Sequence, residues 1–425
     1  MTCSMTRMLL LSVSAAVIMF ASAPGFAAEQ DQQIVDQRGQ SVKERARPGY
    51  DAAGIRAGSL LVVPEASVGE FYNDNIYATD TNEVDDFITK VGANVAVKSN
   101  WNRHALNLNG GLVQSLYADR NDEDRLDWNL GGNGRIDVTR DTKVSAGLSF
   151  QQLHEDRGDP NSPAAASEPV KYNLFQGEVN LDQRFNRVTA RVGATYSDYN
   201  YKDVPAIGGG AIDQDFRDRK EYEERLRLGY DVSPDTNVYV QGSLNQREYD
   251  QQPPAVALNR DSDGYAAIIG SDFRLSNLAR GGVFVGYQEQ NYDSAALSDI
   301  SGITYGANVD WFVTPLTTIG LTGTSTIEET TTGGSSGYVH RTIGLSVDHE
   351  LLRNLILSGN ISYANDDYAS NPRQDDVYGA GLGVNYLLNR NVAVGLEYGY
   401  TDRNSNISGN DYTRNLIGLT LTGKL

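Results

Sequence analysis

Arg191, Arg225 and Arg227 fall on the polar parity of alternating segments, and Glu178, Glu223 and Arg274 occupy equivalent positions in theirs. Lys90, Lys98, Asp182 and Asp272 follow the same rule. Guanidinium groups gathered on one wall of a narrow bore would attract anionic sugars, because low-dielectric walls make opposite charge felt strongly. The same residues read equally well as paired charges that brace the wall. Other chemistry finds little support. The histidines His104, His154, His340 and His349 are far apart in sequence, so they make a zinc site only if the fold gathers them. The stretch "HEDRGD" (154–159) reads as a salt-bridged loop, with a catalytic or cation-binding loop as the alternative. "DSDG" (261–264) resembles the start of a calcium loop without its closing glutamate. "GGSSG" (333–337) has no following Lys-Ser/Thr to make a phosphate cradle, and no nucleophile elbow of the G-x-S-x-G type is present. No residue is therefore assigned to catalysis, a cofactor or a metal, and the chain is not expected to be an enzyme.

The elements that must position these residues are strands. From Leu60 to Leu425 apolar and polar residues alternate, as in Tyr222, Leu226, Leu228, Tyr230 and Val232 against Glu221, Glu223, Arg225, Arg227 and Asp231. Short turns such as "SPDT" (233–236) and "NRN" (389–391) alternate with longer loops rich in Asp, Asn, Gly and Ser. Eight short turns and nine longer loops separate eighteen strands. A soluble sandwich would bury the same faces, but its strands average about 5–6 residues. Here they run to about 13–15, the length a tilted membrane-spanning strand needs with its ends. The expected fold class is all-β: a transmembrane antiparallel β-barrel of about 18 strands, with short periplasmic turns and longer outer loops. Tyr72, Tyr77, Tyr117, Tyr199, Tyr201, Tyr249, Tyr292, Tyr368 and Tyr400 lie near the longer loops and are expected at the membrane–water interface. A barrel also explains why only 40% of the chain is hydrophobic: it needs an apolar coat, not an apolar core.

The start reads as an exported leader. Arg7 is followed by an apolar run from Met8 to Phe20 and by small residues for cleavage after Ala27 or Ala28. The chain thus divides into a signal peptide (1–28), a periplasmic N-terminal tail (29–58), expected to be mobile, and the barrel (59–425). The single cysteine, Cys3, falls in the leader, so the mature chain is expected to use no disulfide. A net charge of −19 gives no general attraction for nucleic acid.

Several stretches resemble the outer-membrane β-barrel porin family associated with exopolysaccharide export clusters of Gram-negative bacteria. They include "NDNIY" (73–77), "GRIDVTRDTKVSAG" (134–147), "LHEDRGDP" (153–160), "RDRKEYEERLRLGY" (217–230), "VFVGYQEQNYD" (283–293) and "DDVYGAGLGVNYLLNRN" (375–391). The resemblance spans roughly residues 45–425. It implies the cell outer membrane, with its lipid and lipopolysaccharide as partners, and a channel for exopolysaccharide export with polysaccharide and periplasmic export components as further partners. A general diffusion porin for small solutes, or a plugged barrel acting as a surface anchor, are the alternatives.

Overall fold

The computed structural model describes residues 39–425 apart from 254 and 257. The expected leader and the first part of the tail lie outside the described residues. Eighteen long strands make the wall. They are β1 (Leu60–Asn73), β2 (Asp86–Ser99), β3 (Ala105–Tyr117), β4 (Arg125–Asp137), β5 (Thr142–His154) and β6 (Lys171–Phe185). Next come β7 (Val188–Tyr201), β8 (Arg219–Ser233), β9 (Thr236–Tyr249), β10 (Ser262–Leu275), β11 (Ala279–Tyr292) and β12 (Ile300–Thr314). The last are β13 (Thr317–Glu329), β14 (Gly337–Leu352), β15 (Leu355–Tyr368), β16 (Gln374–Leu387), β17 (Val392–Ser405) and β18 (Tyr412–Lys424). Each pairs antiparallel with its sequence neighbours, and β1 closes on β18 from Glu65↔Lys424 to Asn73↔Leu416. A short strand, Ile55–Ala57, folds back on the start of β1.

Closure answers the membrane problem. In hydrocarbon an unpaired peptide group has no water to fall back on, so the wall must leave no edge. A strand of 14 residues, as β1 is, rises about 46 Å at roughly 3.3 Å per residue, and tilted it still exceeds an apolar band about 25 Å tall. The turns at the N-terminal end are tight: Asn186-Arg187, Pro234-Asp235, Pro315-Leu316 and Arg353-Asn354 each join two strands. Asn186 takes a positive φ of 56°, which asparagine tolerates. At the other end the loops 155–170 and 202–218 are the longest.

Side chains obey the alternation. In β8, Leu226, Leu228, Tyr230 and Val232 are exposed on the outer parity. Val238, Val240 and Leu244 do the same in β9, and Ile417, Leu419 and Leu421 in β18. These residues are the lipid coat.

The tyrosines correct the sequence reading. Tyr117, Tyr201, Tyr249, Tyr292 and Tyr368 are buried on the inner parity, and Tyr199 shares that parity in β7. Only Tyr72 and Tyr400 of the nine fall on the outer parity of a strand, since Tyr77 lies in a loop. The outer aromatic band is built from Tyr72 and from residues outside that set, paired across strands: Tyr72 with Phe87, Phe175 with Tyr196, Tyr196 with Tyr222, Tyr265 with Tyr287, and Tyr363 with Tyr378. Their hydroxyls donate to acidic side chains, as Tyr363 does to Asp376 at 2.7 Å and Tyr265 to Glu289 at 2.9 Å. Nearness to a loop locates a residue along the strand, but its parity decides which solvent it meets.

Charge at the two parities should therefore cost very different amounts. Val240→Arg, near the middle of the lipid face of β9, is expected to destabilise the barrel by about 2–4 kcal/mol. Asn245→Lys, on the inner face opposite Glu223, is expected to cost under about 1 kcal/mol. Urea unfolding in lipid vesicles measures both, and equal costs would reverse the assignment of inside and outside.

Candidate functional site: the bore and its two mouths

Glu178, Arg191, Glu223, Arg225 and Arg227 of the sequence-predicted residues meet on the inner face of β6 to β8, with Asp182 and Asp272 beside them. Arg225 reaches Glu178 at 3.0 Å, Glu223 at 3.4 Å and the Thr195 hydroxyl at 3.0 Å. Arg191 and Arg227 stand directly opposite each other in register, a repulsive placement that each relieves with its own acid. Arg191 pairs with Asp182, and Arg227 with Asp272 at 3.2 Å. Arg227 also donates to the Gln241 side-chain oxygen at 2.9 Å and lies 3.8 Å above the Tyr239 ring. That ring occupies the space over Gly270, where an added Cβ would sit 2.5 Å from it. The three arginines thus meet four carboxylates, and none of the three presents a bare cation. Arg274 does not join them; it is exposed at the end of β10, where its backbone N–H bonds the Asp235 carbonyl.

The outer mouth is covered from within. Loop 155–170 leaves β5 and reaches walls remote in sequence. Asp156 accepts a bond from Arg414 on β18 at 2.9 Å, and Arg403 on β17 donates to the Gly158 carbonyl at 2.7 Å. Asn161 reaches the far side, where its side-chain oxygen takes the Thr331 N–H at 2.8 Å. Its base is held by two buried ion pairs, Arg157 with Glu123 and Arg217 with Glu155. Burial, then the Glu155 charge, push the Asp159 carboxyl up to about 7, against the pull of the Asn161 N–H. Asp156 moves the other way: Arg414 and the Gly158 N–H outweigh burial and hold its carboxyl below the usual range. The tip joining β13 to β14 completes the cover. Glu329 there pairs with Arg247 and with Arg260 at 3.5 Å, and accepts the Tyr249 hydroxyl at 2.7 Å and the Tyr292 hydroxyl at 3.3 Å.

The opposite mouth receives the described part of the tail. Val42 has no exposed surface, and its N–H donates to the Thr318 hydroxyl at 3.0 Å. Arg45 and Arg47 are buried against Glu350, at 3.8 and 3.2 Å, and Lys43 pairs with Asp348 at 3.1 Å. The expectation of a mobile tail therefore fails for this stretch. The alternate cations of "SVKERAR" (41–47) meet acids at the inner ends of β14 and, through Glu44, Arg280 on β11. That period-2 charge pattern was the signal available in the sequence.

The histidines are dispersed among different partners: His154 with Asp127, His340 with Asp366, His349 with Thr317, and His104 with the Asp137 N–H. Among the described residues, Asp203, Asp213 and Asp215 in the loop 202–218 bring carboxylate oxygens within 4.8 Å of one another. All three are exposed, and local N–H groups of Gln214 and Asp215 already bond two of them.

Comparison with known proteins places this geometry. A family model described as "Putative beta-barrel porin 2" matches residues 47–425. Among solved structures the chain is similar to the copper transporter OprC at 12% identity, covering 87% of this chain and 82% of that one with a TM-score of 0.49. It is also similar to OccAB4 of Acinetobacter baumannii at 13% identity, covering 86% and 98% with a TM-score of 0.43. The outer membrane protein opdK of Pseudomonas aeruginosa matches at 12% identity over 86% and 99%, with a TM-score of 0.43. No curated protein matches by sequence.

The raised Asp159 carboxyl makes docking of loop 155–170 depend on pH. The docked form binds the proton more tightly than the free loop does. Its contribution is thus complete below the ordinary value of 3.8 and is lost as pH rises to about 7. Asp156 acts in the opposite sense, but its window lies below that ordinary value. Amide hydrogen exchange in 156–169, corrected for intrinsic rate, is expected to be faster at pH 8 than at pH 5. Asp159→Asn should abolish the difference, and equal protection in the parent protein at both pH values would rule the linkage out.

Proposed function

Because the chain belongs to the family described as "Putative beta-barrel porin 2" and is an outer-membrane β-barrel channel, we propose that it is the outer-membrane element of an exopolysaccharide export route. The observation that carries this reading is the docking of the chain's own segments in both mouths, around a polar wall of neutralised charges. A pore meant for continual diffusion gains nothing from two covers. A pore for a polymer delivered from the periplasm needs to be shut between deliveries. The wall suits such a cargo: amides such as Gln241 and charges paired with one another give many weak contacts to a hydroxylated chain. Conduction needs binding that is favourable yet easily left, which many weak sites provide better than one strong one. The partners in this reading are the polysaccharide, export components on the periplasmic side, and the surrounding lipid and lipopolysaccharide. It assigns no catalytic step to any residue.

The second reading, a diffusion porin for small solutes, is favoured by one observation. Loop 155–170 folds inward to bond Thr331, and a loop held within the bore would narrow a diffusion channel without needing to move.

Two measurements separate them. Deleting the gene is expected to abolish surface polysaccharide while leaving small-solute uptake unchanged; normal polysaccharide in the deletion strain would remove the export reading. In planar bilayers the purified barrel should show low basal conductance, with blockade events when the host's own polysaccharide is added on the periplasmic side. High constant conductance without blockade would favour the diffusion porin.

A further inference from the structure

The wall has one place where its ladder stops early. β12 and β13 are paired from Thr314↔Thr317 to Gly306↔Thr324 and no further. Their outer neighbours stay regular: β11 and β12 remain paired to Gln290↔Ile300, and β13 and β14 to Glu329↔Gly337. The β13–β14 tip, with the end of β15 still paired to it as far as Tyr338↔Tyr368, has therefore moved away from β12 as a unit. It has peeled inward. Ile327 and Val339, which share the lipid-facing parity of their strands, are buried against Tyr292 and Ile300, which lie on the inner parity of β11 and β12. Gly337 is pressed so closely there that a Cβ would stand 2.9 Å from the Tyr292 hydroxyl oxygen and 3.1 Å from Ile300.

Side chains have taken over the carbonyls that the missing rungs would have used. Thr304 donates to the Ser325 carbonyl at 2.9 Å, Ser325 to that of Ile303 at 3.1 Å, and Arg247 to that of Ile327 at 2.9 Å. The tip itself is latched by Glu329 to Arg247, Arg260, Tyr249 and Tyr292, and by Asn161 of the crossing loop. Arg260 adds a bond to the Ser336 carbonyl at 2.6 Å.

We propose that the β13–β14 tip, residues 325–341, is a hinged gate over the outer mouth, and that its open form is the completed barrel wall. Continuing the register of Gly306↔Thr324 would pair Thr304 with Thr326, Ile303 with Ile327 and Gly302 with Glu328. In that form Ile303, Ile327 and Val339 make one lipid-facing row, as their parity prescribes. Thr326 and Glu328 stay on the inner face. The hinge is the last shared rung, and the backbone needs no new turn because both hairpins are already regular. Opening exchanges side-chain capping of the free edges for ordinary ladder bonds, and exchanges the apolar cluster for contact with lipid. Glu329 leaves its four partners for the rim of the wall, so that cluster is the latch. The device rests on the chain's being a channel and not on which cargo passes.

A cysteine pair tests it. Cys3, the single cysteine, lies in the expected leader, so an introduced pair reports on itself. Gly302→Cys with Glu328→Cys is placed to cross-link only when the tip is zipped to β12. Potassium chloride conductance in planar bilayers is the readout, which keeps failure of the gate distinct from failure of the export reading. Heat-modifiable migration on gels certifies a folded barrel. Catalysed oxidation is expected to form the bond and to hold the pore in a state of higher conductance, and reduction should reverse it. A folded barrel that forms no bond, or forms it with unchanged conductance, would overturn the gate. Should the pair fail to assemble, Glu329→Gln decides. Weakening a buried carboxylate held by two arginines should raise the open probability about tenfold or more, and an unchanged open probability would overturn the proposal.

Discussion

A peptide group in hydrocarbon must find its hydrogen-bond partner inside the protein, and this requirement governs the molecule. It demands that β1 meet β18, and Glu65↔Lys424 through Asn73↔Leu416 meet it. It sets strand length, because each strand must carry its rungs across the whole apolar band. It also explains the inequality of the two ends. Tight turns such as Asn186-Arg187 suffice where strands merely reverse, whereas the long loops lie beyond the lipid and are free to fold back. Even where the ladder lapses, between β12 and β13, the rule is kept by substitution: Thr304, Ser325 and Arg247 serve carbonyls that a neighbouring strand would have served.

The wall and its covers are held by forces of different kinds. The wall rests on backbone rungs that lipid makes obligatory. The covers rest on side-chain pairs. Buried ones, such as Arg217 with Glu155 and Arg47 with Glu350, surrender hydration to gain attraction, and the two nearly cancel. More exposed ones, such as Lys43 with Asp348, contribute about 0.2–1 kcal/mol. Charge pairs therefore fix where the loop, the tip and the tail sit without making those positions costly to leave. That division suits a pore whose frame must persist while its mouths change.

What the sequence made legible follows the same division. Strand number, turn positions and the lipid face were readable, since period-2 alternation is local and the membrane enforces it. Turn residues such as Pro234-Asp235 and Asn389 marked reversals by their own chemistry. The bore was readable in part: Glu178, Arg191, Glu223, Arg225 and Arg227 do come together on β6 to β8, because neighbouring strands in an up-and-down barrel are neighbours in sequence. Contacts across the bore were not readable. Arg403 and Arg414 meet loop 155–170 from 245 and 258 residues away, and nothing in the local pattern of "HEDRGD" names a partner at that distance. The tyrosines show a related limit: closeness to a loop sets a ring's height along the strand, while the parity of the same segments turns Tyr117, Tyr201, Tyr249, Tyr292 and Tyr368 inward.

Parity has its own limit, and Ile327 and Val339 show it. Alternation states that a residue shuns water; it does not state which apolar medium receives it. For those two side chains the medium is Tyr292, Leu297 and Ile300, while Ile303 across the seam keeps to the lipid, 66% exposed. A methyl group gains nearly the same from leaving water whether acyl chains or protein side chains surround it, because the driving force scales with the apolar area withdrawn. The hydrophobic term thus cannot hold the tip on one side of the wall against the other. The choice falls to the polar groups around it, above all to Glu329 and the two arginines and two tyrosines it engages.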